Sequence, residues 1–480
     1  MNNLAVDLVL AVPALAAGGL ALLPGYRLTA ALNVLASLVT FAAAVALVLL
    51  PRPAPGNYLM VDDLNVVFVV LNCFVGLTAA LFSAGYIGHE IETGRLTPVY
   101  VRFYHAMYQL MMFGMNLALV SNNIGLMWVA IELATLTTVL MVGIYRTHEA
   151  LEAAWKYFIL GSVGIALALF GTILVYVTAQ PVVGEGMPSM VWTRLIAAAP
   201  GFDPAPLNLA FVFLLLGYGT KVGLVPLHAW LPDAHAEGPT PISAVLSGLL
   251  LNVALYAVLR FKMLMAAQPA ALAPGPLMIG LGLLSVIFAG LMLYRRRDMK
   301  RFFAYSSIEH MGIITFAFGI GGPLANFAGL LHMAMHSLTK SAIFFGVGHV
   351  AQIKGTQRFD RIGGLTQSHP VIGWGLALGI LAIAGMPPFG VFLSEFLVVT
   401  SSFARAPALA LILAFGLLLA FGALLMRLNT LAFGEPVGPQ DPVRAAPVAL
   451  YLHMALVLLA GIALPGPMVH WFQTVARALG

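Results

Sequence analysis

Glu132, Lys221, Lys340 and Glu395 each interrupt a long apolar stretch. Glu132 lies in Met127-Trp-Val-Ala-Ile-Glu-Leu-Ala-Thr135, Lys221 in Gly217-Tyr-Gly-Thr-Lys-Val-Gly-Leu-Val-Pro226 and Lys340 in Met335-His-Ser-Leu-Thr-Lys-Ser-Ala342. Glu395 follows Gly385-Met-Pro-Pro-Phe-Gly390. An ionisable side chain at bilayer depth costs at least about 2.5 kcal/mol, so each of these asks for a reason. A lysine taken out of water holds its proton less tightly, and a nearby carboxylate restores part of the loss. Moving a Glu toward or away from a Lys therefore switches the proton on the Lys, which is what a proton-moving element needs. Lys156 enters its apolar run about one turn from the start, where snorkelling to headgroup level also accounts for it.

Histidines extend the set. His332, His336 and Lys340 are spaced i, i+4, i+8 and share one helix stripe. Glu309 and His310 stand together in Tyr305-Ser-Ser-Ile-Glu-His-Met-Gly312. Imidazole titrates near neutral pH and can relay protons. Three other readings compete: buried ion pairs that only fix helix packing, histidines bonded to neighbouring backbone, and a metal site, since His-x-x-x-His is a ligand spacing. The metal reading lacks a third ligand on the same helix. Two carboxylates and two or three lysines on at least four helices favour a path over a single packing pair.

The elements that hold these residues follow from composition. The 480 residues are 61% hydrophobic and 9% charged, against about 25% charged in a soluble domain; a water-soluble fold, disorder and nucleic-acid binding are excluded. Segments of about 20 apolar residues are needed to span. Scanning at that length gives fourteen spans, near 4–23, 28–50, 62–86, 103–120, 122–143, 153–179, 207–230, 241–264, 272–294, 302–321, 326–350, 371–403, 406–433 and 446–464. The expected fold is an all-α integral membrane protein. No basic region precedes the first apolar run, so a retained helix is expected there rather than a cleaved signal peptide. No long amphipathic tail is expected after the last span.

The seventh and twelfth spans hold Gly and Pro at Gly217–Pro226 and Gly385–Gly390, and read as broken helices, tolerated at depth only where buried or lining a wet cavity. Five spans separate them, and each break carries an ionisable residue. Two inverted five-helix repeats follow, 103–264 (helices 4–8) and 272–433 (helices 9–13), flanked by a three-helix segment 1–102 and a final helix within 446–480. With fourteen spans, the side carrying Arg95, Arg102, Arg146, Arg295, Lys300, Arg301, Arg358 and Arg444 is much the richer in Lys and Arg. The positive-inside rule makes it cytoplasmic and puts both termini on the opposite side.

The single Cys73 can hold no internal disulfide, iron–sulfur cluster or thiolate zinc. Walker A, complete GxGxxG and GxSxG motifs are missing. No cofactor is expected in this chain, and quinone binding has no support in the sequence.

Lys221-Val-Gly-Leu-Val-Pro-Leu-His-Ala-Trp-Leu-Pro-Asp-Ala-His-Ala-Glu-Gly-Pro-Thr-Pro241, with Tyr305–Gly312 and Gly385–Gly390, resembles the antiporter-like subunits of respiratory complex I, multisubunit Na+/H+ antiporters and membrane-bound hydrogenases. The resemblance covers roughly residues 60–435. Leu331-His-Met-Ala-Met-His-Ser-Leu-Thr-Lys-Ser-Ala-Ile-Phe-Phe345 and the glutamate of Ile308-Glu-His310 most resemble hydrogenase-4 component F.

This resemblance implies fourteen spans in two inverted repeats and a proton-translocating role. It implies pairing of Glu132 with Lys221, a central relay at His332, His336 and Lys340, an outlet group at Glu395 and an entry-side histidine at His228. Glu309, His310 and Lys156 support the relay. The implied setting is a bacterial cytoplasmic (inner) membrane, with other membrane subunits, lipid and a peripheral iron–sulfur or nickel–iron arm as partners. Redox catalysis would then belong to the assembly, whose electron donor and acceptor the sequence does not name. A Na+/H+ antiporter or uptake complex without a redox arm, and a non-conducting membrane anchor, stay open; buried lysines favour H+ over Na+. One departure stands out: Asn252 occupies the eighth-helix position where complex I subunits commonly carry a lysine, so either ordered water bridges Lys221 to the histidines or conduction is less complete. The long lateral helix of the largest complex I subunit is also not expected here.

Overall fold

The computed structural model describes residues 4–439 and 446–480, and Arg444 of the basic side lies outside them. Among the described residues the chain is helical, with isolated bridges and no strand. Three helices lead: α1 (Leu4–Leu22), α2 (Tyr26–Leu49) and α3 (Asp63–Glu92). Then come α4 (Pro98–Val120), α5 (Ile124–Val142), α6 (His148–Val183), a short α7 (Trp192–Ala198), α8 (Pro204–Val222) and α9 (Trp230–Glu237). A π-helical turn, Leu246–Leu250, fuses α10 (Thr240–Val245) to α11 (Leu251–Ala267). The second half holds α12 (Gly275–Leu293), α13 (Met299–Ile320), α14 (Gly322–Lys354), a single turn α15 (Leu365–Ser368), α16 (Pro370–Ile383), α17 (Gly390–Arg405) and α18 (Pro407–Leu428). Two helices end the chain, α19 (Val448–Ile462) and α20 (Gly466–Ala478).

The helix starts are written locally. Side chains of Asp62, Asn123, Thr147, Asp203 and Asp298 accept from first-turn amides of α3, α5, α6, α8 and α13, satisfying donors that a helix leaves orphaned. Proline opens α4, α8, α14, α16 and α18, where its missing N–H costs nothing. Each of the fourteen apolar stretches holds helix, and nine helices among the described residues are long and apolar enough to cross a membrane. The others fall short because they are broken or carry polar side chains inward.

α14 is the axle of the bundle. It packs against α3, α10, α13, α16, α17, α19 and α20, and from Ala325 to Gly348 every residue is buried. The rim is apolar and outward-facing: on α6, Trp155, Ile159, Val163 and Phe170 are exposed, as expected of a surface turned to lipid.

Both breaks are present. α8 stops at Gly223 (φ +81°) and α16 at Gly385 (φ +69°), followed by cis Val225–Pro226 and cis Pro387–Pro388. Positive φ is where glycine is needed. Gly217, expected within the first break, is helical instead, and its bare Cα lets α8 close on the α6 backbone at Gly164 and Ala168. α20, beyond the last apolar stretch, folds back at 79° to α19, and its Trp471 donates to the Asp63 carbonyl at 3.0 Å.

Candidate functional site

The first group sits where α5, α6 and α8 meet. Lys221 Nζ lies 3.2 Å from Glu132 Oε2 and 3.0 Å from Thr135 Oγ1, so a carboxylate and a hydroxyl one turn along α5 share the ammonium. Room for it comes from Gly161 of α6, where a Cβ would stand 3.0 Å from Nζ. Lys221 is buried, whereas the Glu132 side chain keeps 17% of its surface. Beside them Tyr157 bonds Thr138 at 2.8 Å and stacks on Trp230 with centroids 4.2 Å apart. Trp230 Nε1 donates to Thr220 O, pinning α9 back onto the end of α8.

The second group is built on α13, α14 and α17. His310 Nδ1 and His332 Nε2 are 2.9 Å apart, and His332 Nδ1 is 2.8 Å from Ser394 Oγ. Glu395 Oε1 stands 3.8 Å from His310 Nδ1, and Glu309 Oε2 3.5 Å from His310 Nε2. The His336 ring centroid is 5.7 Å from that of His310, and neither His336 nitrogen has a protein hydrogen-bond partner among the described residues. Glu309 and Glu395 line one cavity of about 320 Å³, walled by Leu417, Phe421 and Leu424 of α18. A Cβ at Gly385 would collide with Glu395 Oε2, so the bare glycine at the break leaves space for that carboxylate.

Lys340 takes a different partner from the one its stripe suggests. Its Nζ donates to Phe303 O at 3.0 Å, and among the described residues it joins no ion pair. Asn252 is anchored to α14, its Nδ2 donating to Met333 O at 3.1 Å and Ser337 Oγ at 2.7 Å. Hydroxyls line the same seam: Ser247 meets Ser307 at 2.7 Å, and Ser337 reaches Gly248 O.

Two predicted members stand apart. Lys156 is half-exposed and pairs with Glu152 at 2.6 Å and Asp233 at 3.1 Å, at the outer end of α6. His228 lies in the break between α8 and α9, its ring against Phe288 and Tyr305. Several contributors escaped sequence reasoning. Thr135, Tyr157, Ser247, Ser307 and Ser394 carry no signal, because a hydroxyl inside an apolar helix is ordinary. Asp233 and His235 sit inside the Pro-rich motif and were findable there; Asp233 bridges Lys156 and Arg301, and buried His235 stacks on Phe344 at 4.8 Å. Lys300, counted among the charges of the basic side, is buried, and so are Arg260 and Lys262. Lys300 donates to Ala236 O and Gly238 O, Arg260 clasps Asp62 through two bonds of 2.6 and 2.8 Å, and Lys262 reaches Leu479 O at 2.6 Å.

At the loop end of α9, burial raises the Glu237 carboxyl above its usual range despite the Arg301 guanidinium beside it. For metals, ligand atoms of His310, His332 and Glu395 lie within 4.8 Å of one another. Only His332 of these lies on the α14 stripe; the other two come from α13 and α17, and His336 is not among them. Two imidazoles and a carboxylate suit a divalent transition metal, which would displace the proton shared by the two rings.

Residues 121–421 match the family described as NADH:quinone oxidoreductase/Mrp antiporter, TM. A hydrogenase-4 component F homolog of Methylacidiphilum infernorum is 62% identical over 93% of this chain and 94% of its own. NAD(P)H-quinone oxidoreductase chain 4 of Synechococcus sp. (strain WH7803) is 32% identical over 74% of this chain and 65% of its own. Among solved structures, a chain of the archaeal membrane-bound sulfane sulfur reductase superposes with a TM-score of 0.88 at 23% identity, covering 99% of this chain and 97% of that one. A chain of the Mrp complex from Dietzia sp. DQ12-45-1b gives 0.84 at 19%, with the same coverage. These likenesses place the same fold in several multisubunit membrane complexes. The chain is a multi-pass membrane protein and belongs to the antiporter-like subunits of the NADH:quinone oxidoreductase/Mrp antiporter family, with hydrogenase-4 component F homologs among its relatives.

Proposed function

We propose that this subunit moves protons through a buried Glu/Lys/His path, driven by redox chemistry in partner subunits of a hydrogenase-4 or complex I type assembly. Glu132 and Lys221 take up and hold a proton in the first half. His310, His332, His336 and Lys340 pass it through the second, with Glu309 assisting, and Glu395 exchanges it toward the outlet. His228 acts at the entry side, and Lys156 supports the relay from the rim. The observation that carries this reading is the continuous hydrogen-bonded chain His310–His332–Ser394 beside Glu395. Imidazoles bonded to each other can hand over a proton by exchanging donor and acceptor roles; ion pairs that merely fasten helices need no such chain.

The same proposal includes fourteen spans in inverted repeats at 103–264 and 272–433, termini on the non-cytoplasmic side of a bacterial inner membrane, no cofactor in this chain, and an iron–sulfur or nickel–iron arm on a partner. The name of the 62%-identical relative supports the hydrogenase setting. The Mrp likeness favours the second reading, an ion-gradient antiporter without a redox arm. Purification through a tag on this subunit, with mass spectrometry and metal analysis of its partners, separates them: a metal-bearing arm supports the first and metal-free membrane partners the second. Proton uptake by vesicles carrying Lys221→Met tests the path itself, since wild-type uptake would remove it.

A further inference from the structure

Away from the buried path, one end of α4, α5 and α6 encloses a groove of about 570 Å³. Its walls are Phe103 and Met107 of α4, Leu140 of α5, and Leu151, Trp155 and Phe158 of α6. Phe103, Leu140 and Trp155 are each more than half exposed, so these side chains point outward and are not packed into the bundle. Among the described residues of the lining, Arg146 supplies the one charge. It is exposed, stands at the left-handed turn that ends α5 (φ 55°), and its guanidinium lies 4.2 Å from the Tyr100 ring centroid.

We infer that this groove is a binding site for an anionic phospholipid, with the phosphate on Arg146 and an acyl chain along α4 and α6. Depth supports this occupant. Tyr100 and Arg146 lie just outside the apolar stretches 103–120 and 122–143, and from Tyr100 to Met107 is about 10 Å of helix, so if those stretches span, the groove occupies the outer third of a core roughly 30 Å thick, the level of a headgroup and the upper acyl segment. Size supports it too. Two turns of a helix 10 Å across occupy about 850 Å³, more than the groove holds, whereas an unbranched acyl chain is thinner. Charge completes the argument: a guanidinium grips phosphate through two donors, and basic pockets between helices suit anionic headgroups. The bound lipid would brace the turn of α6 whose inner face carries Tyr157, three residues from Ala154 on the groove wall, and so steady the Tyr157–Trp230 stack. The site does not depend on the proton path.

The assembled complex, reconstituted in phosphatidylcholine vesicles with a trace of diazirine-tailed phosphatidylglycerol or diazirine-tailed phosphatidylcholine, is irradiated and the labelled peptides are mapped by mass spectrometry. The glycerol lipid is expected to label 100–107 and 151–158 several-fold more than the choline lipid, and Arg146→Gln to lower that preference about fivefold, the worth of one interfacial arginine. Leu140→Trp, which fills the groove from an exposed position, should reduce labelling by both lipids. Equal labelling by the two lipids, a preference that survives Arg146→Gln, or crosslinks from these segments to another subunit in place of lipid would overturn the assignment.

Discussion

Lys340 donates its ammonium to the main-chain oxygen of Phe303 at 3.0 Å, whereas Lys221 faces the carboxylate of Glu132 at 3.2 Å. The two buried lysines thus differ in what their removal leaves behind. Lys340→Met takes away an ammonium whose charge has no counter-ion in contact, so thermal stability should hold or rise while proton uptake is lost. A large drop in the unfolding temperature of the purified complex would show that Lys340 is paired after all.

Lys221→Met should act in the opposite sense on stability. Breaking a buried pair costs about 3–5 kcal/mol when the survivor is sealed in, and the remaining exposure of Glu132 keeps the cost toward the low end. Uptake should vanish while the subunit stays in the complex. The double variant Lys221→Met/Glu132→Gln should regain part of the stability and none of the uptake; full additivity of the two losses would mean that the pair does not couple.

Ser394→Ala removes the group that faces His332 Nδ1 and leaves a buried nitrogen unsatisfied, at about 1–3 kcal/mol. With nothing fixing the tautomer, uptake should fall by about tenfold, the scale of one lost hydrogen bond of that size. Ser394→Thr keeps the hydroxyl and should retain most of the rate. Equal rates in the Ala and Thr variants would take Ser394 out of the path.

Gly385→Ala places a methyl group against Glu395 and forces an L side chain into positive φ, which costs about 1–2 kcal/mol. Gly355→Ala is the control: it has the same backbone handedness and nothing within 4 Å. Uptake should collapse in the first variant alone, measured in vesicles with matched amounts of assembled complex.

Lys156→Ala should be mild. Its two carboxylate contacts are solvent-accessible, and such pairs contribute about 0–1 kcal/mol. Vesicle uptake within a few-fold of wild type is expected; complete loss would move Lys156 from the rim into the path.

Much of this was legible in the residues. Long apolar runs wrote the spans, and Gly223 with Pro226, and Gly385 with Pro387, wrote the breaks, because no other residues so plainly end a helix. The charged members were visible because a Glu or Lys inside an apolar run has few innocent explanations. Helical spacing put His332, His336 and Lys340 on one stripe, yet it says nothing of which neighbouring helix faces that stripe. Hence the His310–His332 bond, the role of Ser394 and the Phe303 carbonyl under Lys340 were hidden. The burial of Lys300 was hidden for a related reason: a charge near a span end reads as solvated, while here the Ala236 and Gly238 carbonyls take it inward, as Asp62 and the Leu479 carbonyl take Arg260 and Lys262. α20 escaped because 13 amphipathic residues are too few for a span.

Glu132 stands near the middle of α5, Lys340 near the middle of α14, and Lys221 beside the break between α8 and α9. If those helices cross the bilayer, hops among the three groups run parallel to its plane and do almost no work against the transmembrane voltage. The roughly 2.3 kcal/mol per charge at 100 mV then falls on the steps that bring a proton down to this level and carry it out again. Substitutions inside the layer should change the rate of uptake without changing its steepness with voltage, and only the inlet and outlet should act as the electrical gates.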